Sequence, residues 1–437
     1  MKFLANSNWT KSVYYNKKIL YPQNLSSLKK IIHFNQIGIC GNLRSFNDTC
    51  INKNKLVSLK KFSKKIFLDK KKSLLYVSSN YLLIDVLKKI VPLGYMISIS
   101  PGSKYVTIGG MISNNVIGKN SENNQFRYIL KELEILCANK KVLTCSNKKN
   151  KKLFDLTIGG FGLTGIILGA VIKLKKIRNQ KIEQEIFKFH NFKEFENIVN
   201  KKTKFNVSWI DSHYLNKKKF RGLFYYGDYS KKKDLLREYE HNNSKVNFLT
   251  NLFLKIYINN FYFSKFINLL FFKFKKKKEE VSFDEFFYPQ DKWLNFNECY
   301  SNGFFQIQFL IPEKKFKDII NEICDFFQNH NLKSTFIILK KINEKGKYLN
   351  FYGKGYSISF DFENNSQTKN VKNFFSKLIY KNQLRTNFSK DLIQKYEFIK
   401  DKIEYNKFKK EIINLDKKKI INSEFSKRLK LKSIDEI

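Results

Sequence analysis

The chain of 437 residues carries 83 Lys and Arg against 38 Asp and Glu, a formal charge of +45, with 42% hydrophobic and 16% aromatic residues. That hydrophobic content excludes a disordered chain, and the length excludes a single small module, since at roughly 150 residues per domain two or three domains are expected. The charge by itself points to nucleic acid or an anionic surface, but Lys rises together with Asn, Ile, Phe and Tyr, all types with A/T-rich codons, while Pro (5) and Gly (18) are scarce. Arg, favoured for bidentate phosphate and guanine contacts, is a small minority of the cations. Compositional bias is the better reading, and no nucleic-acid partner is expected.

The first residues, MKFLANSNWTKSVYY, turn polar at Asn6, without the apolar core of a signal peptide. Cys40, Cys50, Cys137, Cys145, Cys299 and Cys324 lie far apart with no CxxC pair. They read as reduced thiols of a cytoplasmic protein. The five histidines are scattered, none at metal-ligand spacing from another, and no metal is expected.

From about 20 to 175, short apolar runs alternate with helical patterns, as in Leu28 to Phe34, Leu74 to Val77, Tyr81 to Ile90 and Leu163 to Leu174, and more than half of the glycines fall between Gly94 and Gly169. Glycine kept in a Gly-poor chain marks tight turns or close approach to a ligand. In SPGSKYVTIGGMISNNVIGKN, residues 100 to 120, Pro101-Gly102 fits a turn, Val106 to Ile108 a short strand, and Gly109-Gly110 a place where backbone amides reach an anion. LTIGGFGLTGIILGAVIKL, 156 to 174, puts Gly159, Gly160, Gly162 and Gly165 ahead of a β-branched strand. As bare glycine patterns both also fit plain structural turns. Neither a strand-GxGxxG-helix unit with a following acidic residue nor a GxxxxGK[ST] loop occurs.

The segment 248 to 278, FLTNLFLKIYINNFYFSKFINLLFFKFKKKK, is densely aromatic but broken by Asn251, Lys255, Asn259, Asn260, Lys265 and Asn268, so it does not offer about 20 uninterrupted apolar residues to span a bilayer. It reads either as a pair of core helices or as an interfacial patch whose Lys275 to Lys278 meet anionic lipid. Between about 180 and 400, strand-like FFQIQFLIP at 304 to 312 and YSISFDF at 356 to 362 alternate with helical KFKDIINEICDFFQNH at 315 to 330, suggesting a second α+β domain; the tail beyond 400 is Lys-rich and helical in pattern. Alternation puts Gln306 and Gln308 on one strand face with Ile307 on the other, a face turned either to a polar cavity or to solvent. Lys340 closes the apolar run STFIILK and either enters a site or snorkels outward.

The 100 to 120 stretch resembles the flavin-binding segment of the PCMH-type, vanillyl-alcohol-oxidase superfamily of FAD oxidoreductases. It is most similar to the decaprenylphosphoryl-β-D-ribose 2'-oxidase branch, whose pattern is PGTRxVTVGGAIAxDVHGKN. GGFGLTGII at 159 to 167 resembles that branch's GGxGLTGII, CGNLRSFNDTCIN at 40 to 52 its RGxGRSYGDxxxN, FYPQDKWLNFNECYSNGFFQIQFLIP at 287 to 312 its FYHPLDxxxxWNRxYGxxGFLQYQFVIP, and NSEFSKRLKL its SDxxRRLGL. The resemblance implies an α+β, two-lobed fold: an FAD-binding domain over 1 to 178, a substrate (cap) domain over 179 to 400 built on an antiparallel sheet flanked by helices, and a tail, 401 to 437, returning to the FAD lobe.

Carried over position by position, FAD contacts fall on Gly41, Asn42, Arg44, Ser45 and Asp48, on Gly102, Thr107, Ile108, Gly109 and Gly110, on Gly118, Lys119 and Asn120, and on Ile166. Arg44 stands where covalent members carry His, so FAD is expected to be non-covalent. Leu43 and Asn47 replace glycines, Phe46 a tyrosine, Ile117 the His of HGKN, and Ser359 the cysteine of some members. Gln306, Gln308, Lys340 and Lys390, the last in FSKD where the branch has AKD, are the implied catalytic residues, with the proton acceptor left open. A flavin alcohol oxidase needs a carbinol C–H aimed at the flavin N5 and an acceptor for the hydroxyl proton. The implied substrate is a sugar hydroxyl, in the nearest branch the 2'-OH of a polyprenyl-phosphate pentose, with a short-chain NAD(P)H-dependent reductase as partner. A lipid-phosphate substrate would give segment 248 to 278 a purpose as a membrane-side entrance, with a peripheral contact at the inner face of the plasma membrane expected of a cytoplasmic protein. The competing readings are an aldonolactone or other soluble-sugar oxidase of the same fold, and a basic membrane- or nucleic-acid-binding scaffold on a dead flavin fold.

Overall fold

A computed structural model describes residues 6–15, 18–33, 36–201, 203–216, 219–232, 234, 236–239, 241, 247–293 and 295–432. Its first sheet is small and parallel, in the order Ile19–Leu20, Lys55–Ser58, Ile37–Cys40. The chain's tail comes back to its open edge, where Ile37 N donates to Ile420 O at 2.7 Å and Asn422 N to Ile37 O at 2.9 Å. Pairing with the tail covers backbone groups that an edge strand would leave to solvent.

A second, five-stranded antiparallel sheet runs Val142–Ser146, Leu130–Leu136, Ile166–Lys173, Leu74–Ser78, Ile66–Asp69. The helix Leu83–Ile90 covers it because Leu83, Val86, Leu87 and Ile90 recur at helical spacing and bury one stripe against Leu75, Val77 and Ile172. The strand expected at Val106 to Ile108 is reduced to a single bridge between Leu82 and Thr107. Thr107 instead caps the helix Ile108–Ser113, accepting from Gly110 N at 3.1 Å.

The other lobe is built on eight antiparallel strands, ordered Lys278–Ser282, Lys181–Phe189, Lys219–Tyr229, Phe205–Asn216, Phe336–Glu344, Gly353–Glu363, Phe304–Ile311, Arg385–Thr386. Period-2 alternation decides its two faces. Phe305, Ile307, Phe309, Ile337, Leu339, Ile358, Phe360 and Phe362 pack under the helices Phe316–Asn329 and Thr368–Lys381. The residues between them face the first lobe. The molecule is thus an α+β, two-lobed fold.

Segment 248 to 278 forms a helical hairpin, Phe248–Asn259 and Phe261–Phe274, before the edge strand Lys278–Ser282. Each helix starts on an asparagine cap: Asn247 Oδ1 accepts from Thr250 N and Asn260 Oδ1 from Phe263 N, both at 2.8 Å. Among the described residues, no helix is long and apolar enough to cross a membrane.

Candidate active site

A cavity of about 1120 Å³ lies between the lobes, above the size of most small-ligand sites. Of the residues expected at the cofactor, Gly41, Asn42, Arg44, Ser45, Gly102, Thr107, Gly109, Gly110, Gly118, Lys119 and Ile166 line it; Gln306, Gln308, Lys340 and Lys390 line it from the other lobe. Asp48, Ile108 and Asn120 are not on its wall. Ile108 is wholly buried in the core of the first lobe, and Asn120 bridges to Phe205 at the start of a cap strand. Asp48 supports the first loop from behind: its carboxylate takes both arms of Arg428, Nε at 2.8 Å and Nη2 at 3.0 Å.

Arg428 sits on the short helix Glu424–Arg428, whose N-cap is Ser423. Its Nη1 also reaches Asp391 Oδ2 at 3.2 Å and Gln394 O at 2.7 Å. Asn47 is fully buried, and its Nδ2 donates to Phe388 O at 2.7 Å while its Oδ1 accepts from Ser45 Oγ at 2.8 Å. The side chain that replaces a glycine therefore ties the loop to the segment carrying Lys390. Leu43 holds the left-handed conformation at φ 52, which a glycine adopts without strain.

The loops fit a flavin dinucleotide. The amides of Asn42, Leu43 and Arg44 have no protein partner among the described residues, the kind of donor that takes a diphosphate. A Cβ on Gly41 would run into Thr107 Oγ1, whereas one on Gly102 would meet nothing within 4 Å. Asn114 Oδ1 and Gln306 Oε1 are buried at the cavity without a partner. Arg44 stacks its guanidinium 3.7 Å from the Trp9 ring and 5.3 Å from Tyr105. One expectation changes. The amides of Ile108, Gly109 and Gly110 are already bound, to Tyr81 O (2.9 Å), Ser79 O (2.8 Å) and Thr107 Oγ1 (3.1 Å), which leaves the first-loop amides as the freer donors.

Across the cavity, cross-strand pairing assembles a polar strip. Gln306 lies opposite Asp361, Gln308 opposite Ser359, and Lys340 opposite Ser357. Gln306, 6% exposed, donates to Asp361; Gln308 Nε2 donates to Ser357 Oγ at 2.9 Å and Gln308 Oε1 accepts from Asn387 Nδ2 at 2.8 Å. Lys340 lies mid-strand rather than at a strand end, and its Nζ donates to Gly118 O on the first lobe. Lys119 donates to Phe286 O, and the Lys390 Nζ sits 5.2 Å over the Phe46 ring of the first loop.

Burial dominates the electrostatics. It pushes Lys340 down to about 7, with Glu344 opposing and Lys390 reinforcing. It pushes Lys119 down to about 7, helped by the charge of Lys340, and lowers Lys390, which Asp361 partly restores. Asp361 is raised to about 6 by burial against the pull of Gln306 and Lys390. An amine near 7 holds both protonation states at neutral pH, as proton transfer requires.

Asp361 and Asn387 were not among the expected site residues. Asp361 had a visible signal, because in YSISFDF the residues Ser357, Ser359 and Asp361 alternate with a continuous apolar face. Asn387 had none, since it reaches the strip only through the register of the two-residue strand Arg385–Thr386.

Residues 17–146 match the FAD binding domain family. Over 341 residues, 73% of this chain and 72% of the relative, the sequence is 26% identical to the decaprenylphosphoryl-beta-D-ribose oxidase of Mycolicibacterium smegmatis. Shorter stretches resemble two Arabidopsis thaliana proteins: cytokinin dehydrogenase 3, 31% identical over 134 residues (29% of this chain, 25% of the relative), and cytokinin dehydrogenase 2, 34% identical over 114 residues (25% and 22%). With a cavity whose first-loop donors suit a dinucleotide, these likenesses make FAD the cofactor and the protein an FAD-dependent oxidoreductase resembling the PCMH-type oxidases and dehydrogenases.

Proposed function

We propose that the protein oxidises a sugar hydroxyl to a ketone, and that the sugar is the pentose of a polyprenyl phosphate, oxidised at its 2'-OH as the first half of an epimerisation completed by a short-chain NAD(P)H-dependent reductase. In this reading residues 1–178 hold the cofactor, 179–400 cover it and 401–437 brace it. The observation that carries the proposal is the polar strip Gln306, Gln308 and Lys340, with Lys390, on the cavity wall across from the FAD-binding loops.

Bound FAD supplies the hydride acceptor. Lys340 takes the hydroxyl proton on Nζ as the carbinol carbon gives up its hydride, which leaves the carbonyl. Gln308, pinned between Ser357 and Asn387, has little freedom to turn and so orients the sugar. Gln306 offers the sugar an unpartnered Oε1.

Anaerobic titration of the yellow protein tests the reading. The polyprenyl-phosphate pentose is expected to bleach the flavin band and aldonolactones to leave it unchanged. Bleaching by the lactone alone would move the chain to soluble-sugar oxidation, and protein that stays colourless after incubation with FAD would leave only the scaffold reading.

A further inference from the structure

The hairpin 248–274 is inverted relative to an ordinary surface helix. On its second helix the buried positions are Ser264, Asn268 and Phe272, so two of the three inward residues are polar. They meet a polar bed on the sheet. Asn268 Nδ2 donates to Asp211 Oδ1 at 2.8 Å, Ser264 Oγ lies 2.9 Å from His213 Nε2, and Lys333 Nζ donates to Ser264 Oγ at 3.2 Å. Asp211 is held in turn by Arg221 Nε at 3.2 Å.

Most of the outward positions are apolar: Phe248 is 80% exposed, Leu249 72%, Tyr262 81%, Phe266 55% and Phe274 70%, with Asn259, Asn260, Lys265 and Lys273 exposed among them. More than half of the large exposed hydrophobic residues among the described ones lie on this hairpin. An exposed apolar patch of this kind marks an interaction surface. Its charge narrows the partner, for residues 248 to 278 contain seven lysines and no acidic residue. Lys276, Lys277 and Lys278 are exposed at its C-terminal end. Aromatic and aliphatic side chains flanked by lysines match the headgroup layer of an anionic bilayer, where the rings enter the acyl boundary and the ammonium groups meet phosphate.

We propose that the outward face of this hairpin docks on an anionic lipid surface. The other side of the same hairpin, through Tyr257, Ile267, Asn268 and Phe271, is a wall of the cavity, so docking sets that cavity beside the headgroups. The proposal rests on the surface itself and fails separately from the polyprenyl-phosphate reading, which flavin bleaching in detergent tests without any membrane.

The test is co-sedimentation of the flavin-loaded protein with vesicles of phosphatidylcholine and phosphatidylglycerol at 3:1, with pure phosphatidylcholine vesicles in parallel. The wild type is expected to pellet with the anionic vesicles, more weakly in high salt and weakly with the neutral ones. The triple variant Phe248→Ser, Tyr262→Ser, Phe274→Ser removes three side chains that do not line the cavity, and its partitioning is expected to fall at least about tenfold. An unchanged flavin spectrum and melting temperature confirm that this variant folds. Equal pelleting of the folded variant, or light scattering showing that a second copy of the chain covers the face in free solution, would overturn the proposal.

Discussion

Replacing Arg428 by Met is the sharpest structural perturbation the fold offers. The guanidinium bridges two carboxylates, Asp48 (4% exposed) behind the first loop and Asp391 (2% exposed) next to Lys390. It also bonds the carbonyls of Asp391 (3.0 Å) and Gln394 (2.7 Å). Burial works against the Arg428 charge, but the two carboxylates hold it protonated well above its usual range. Met fills similar space yet leaves both carboxylates without their cation. Stripping one partner from a buried pair costs about 3–5 kcal/mol, and in a unit of 150–250 residues that amounts to a melting temperature lower by roughly 10 °C. The assay is thermal release of flavin fluorescence from the holoprotein. Because the lost interaction braces the loop from behind, loss of FAD is expected to accompany unfolding rather than to precede it by many degrees. Adding Asp48→Asn to Arg428→Met removes one of the stranded charges and is expected to restore about 1–3 kcal/mol. A single variant that melts within about 1 °C of wild type, or a double variant whose losses simply add, would refute the clamp.

Three further outcomes follow from the site. With Lys340 lowered to about 7 by burial, the reductive half-reaction is expected to rise with pH through about 7, since the acceptor must be the neutral amine; Lys340→Met should slow it about 10²–10⁴-fold and abolish that limb, and stopped-flow rates across pH 5–9 check this. Asp361→Asn takes away the carboxylate that partly restores Lys390, so Lys390 should titrate lower still; with less charge on Lys390 pressing Lys340 down, the same pH profile should move toward alkali. Arg44 carries no nucleophile able to bond the flavin, so acid precipitation is expected to leave all the yellow colour in the supernatant; colour retained in the pellet would contradict non-covalent binding.

The glycine clusters and the alternation in FFQIQFLIP and YSISFDF made much of the site legible from sequence, because close backbone approach and two-faced strands are local requirements that each leave a mark on neighbouring residues. Three features escaped for physical reasons. Thr107 reads as β-branched and strand-like, but its hydroxyl is better used as a helix cap, and the amides beyond it are thereby taken up inside the lobe. The clamp between Asp48 and Arg428 joins residues 380 positions apart, a separation over which no periodicity carries information. The polar underside of the hairpin hides in a segment that is apolar on average. Only the fold shows that Ser264 and Asn268 are the buried residues and Phe266 and Phe274 the exposed ones.

In the proposed reaction Lys340 takes the hydroxyl proton and the glutamine strip holds the sugar, while bound FAD would accept the carbinol hydride. Anaerobic mixing of the holoprotein with polyprenyl-phosphate pentose, followed at the flavin band in wild type and Lys340→Met, tests it most directly. Rapid bleaching is expected in the wild type, slowed about 10²–10⁴-fold in the variant with the flavin still bound. No bleaching by any sugar, or equal bleaching in both proteins, would contradict it.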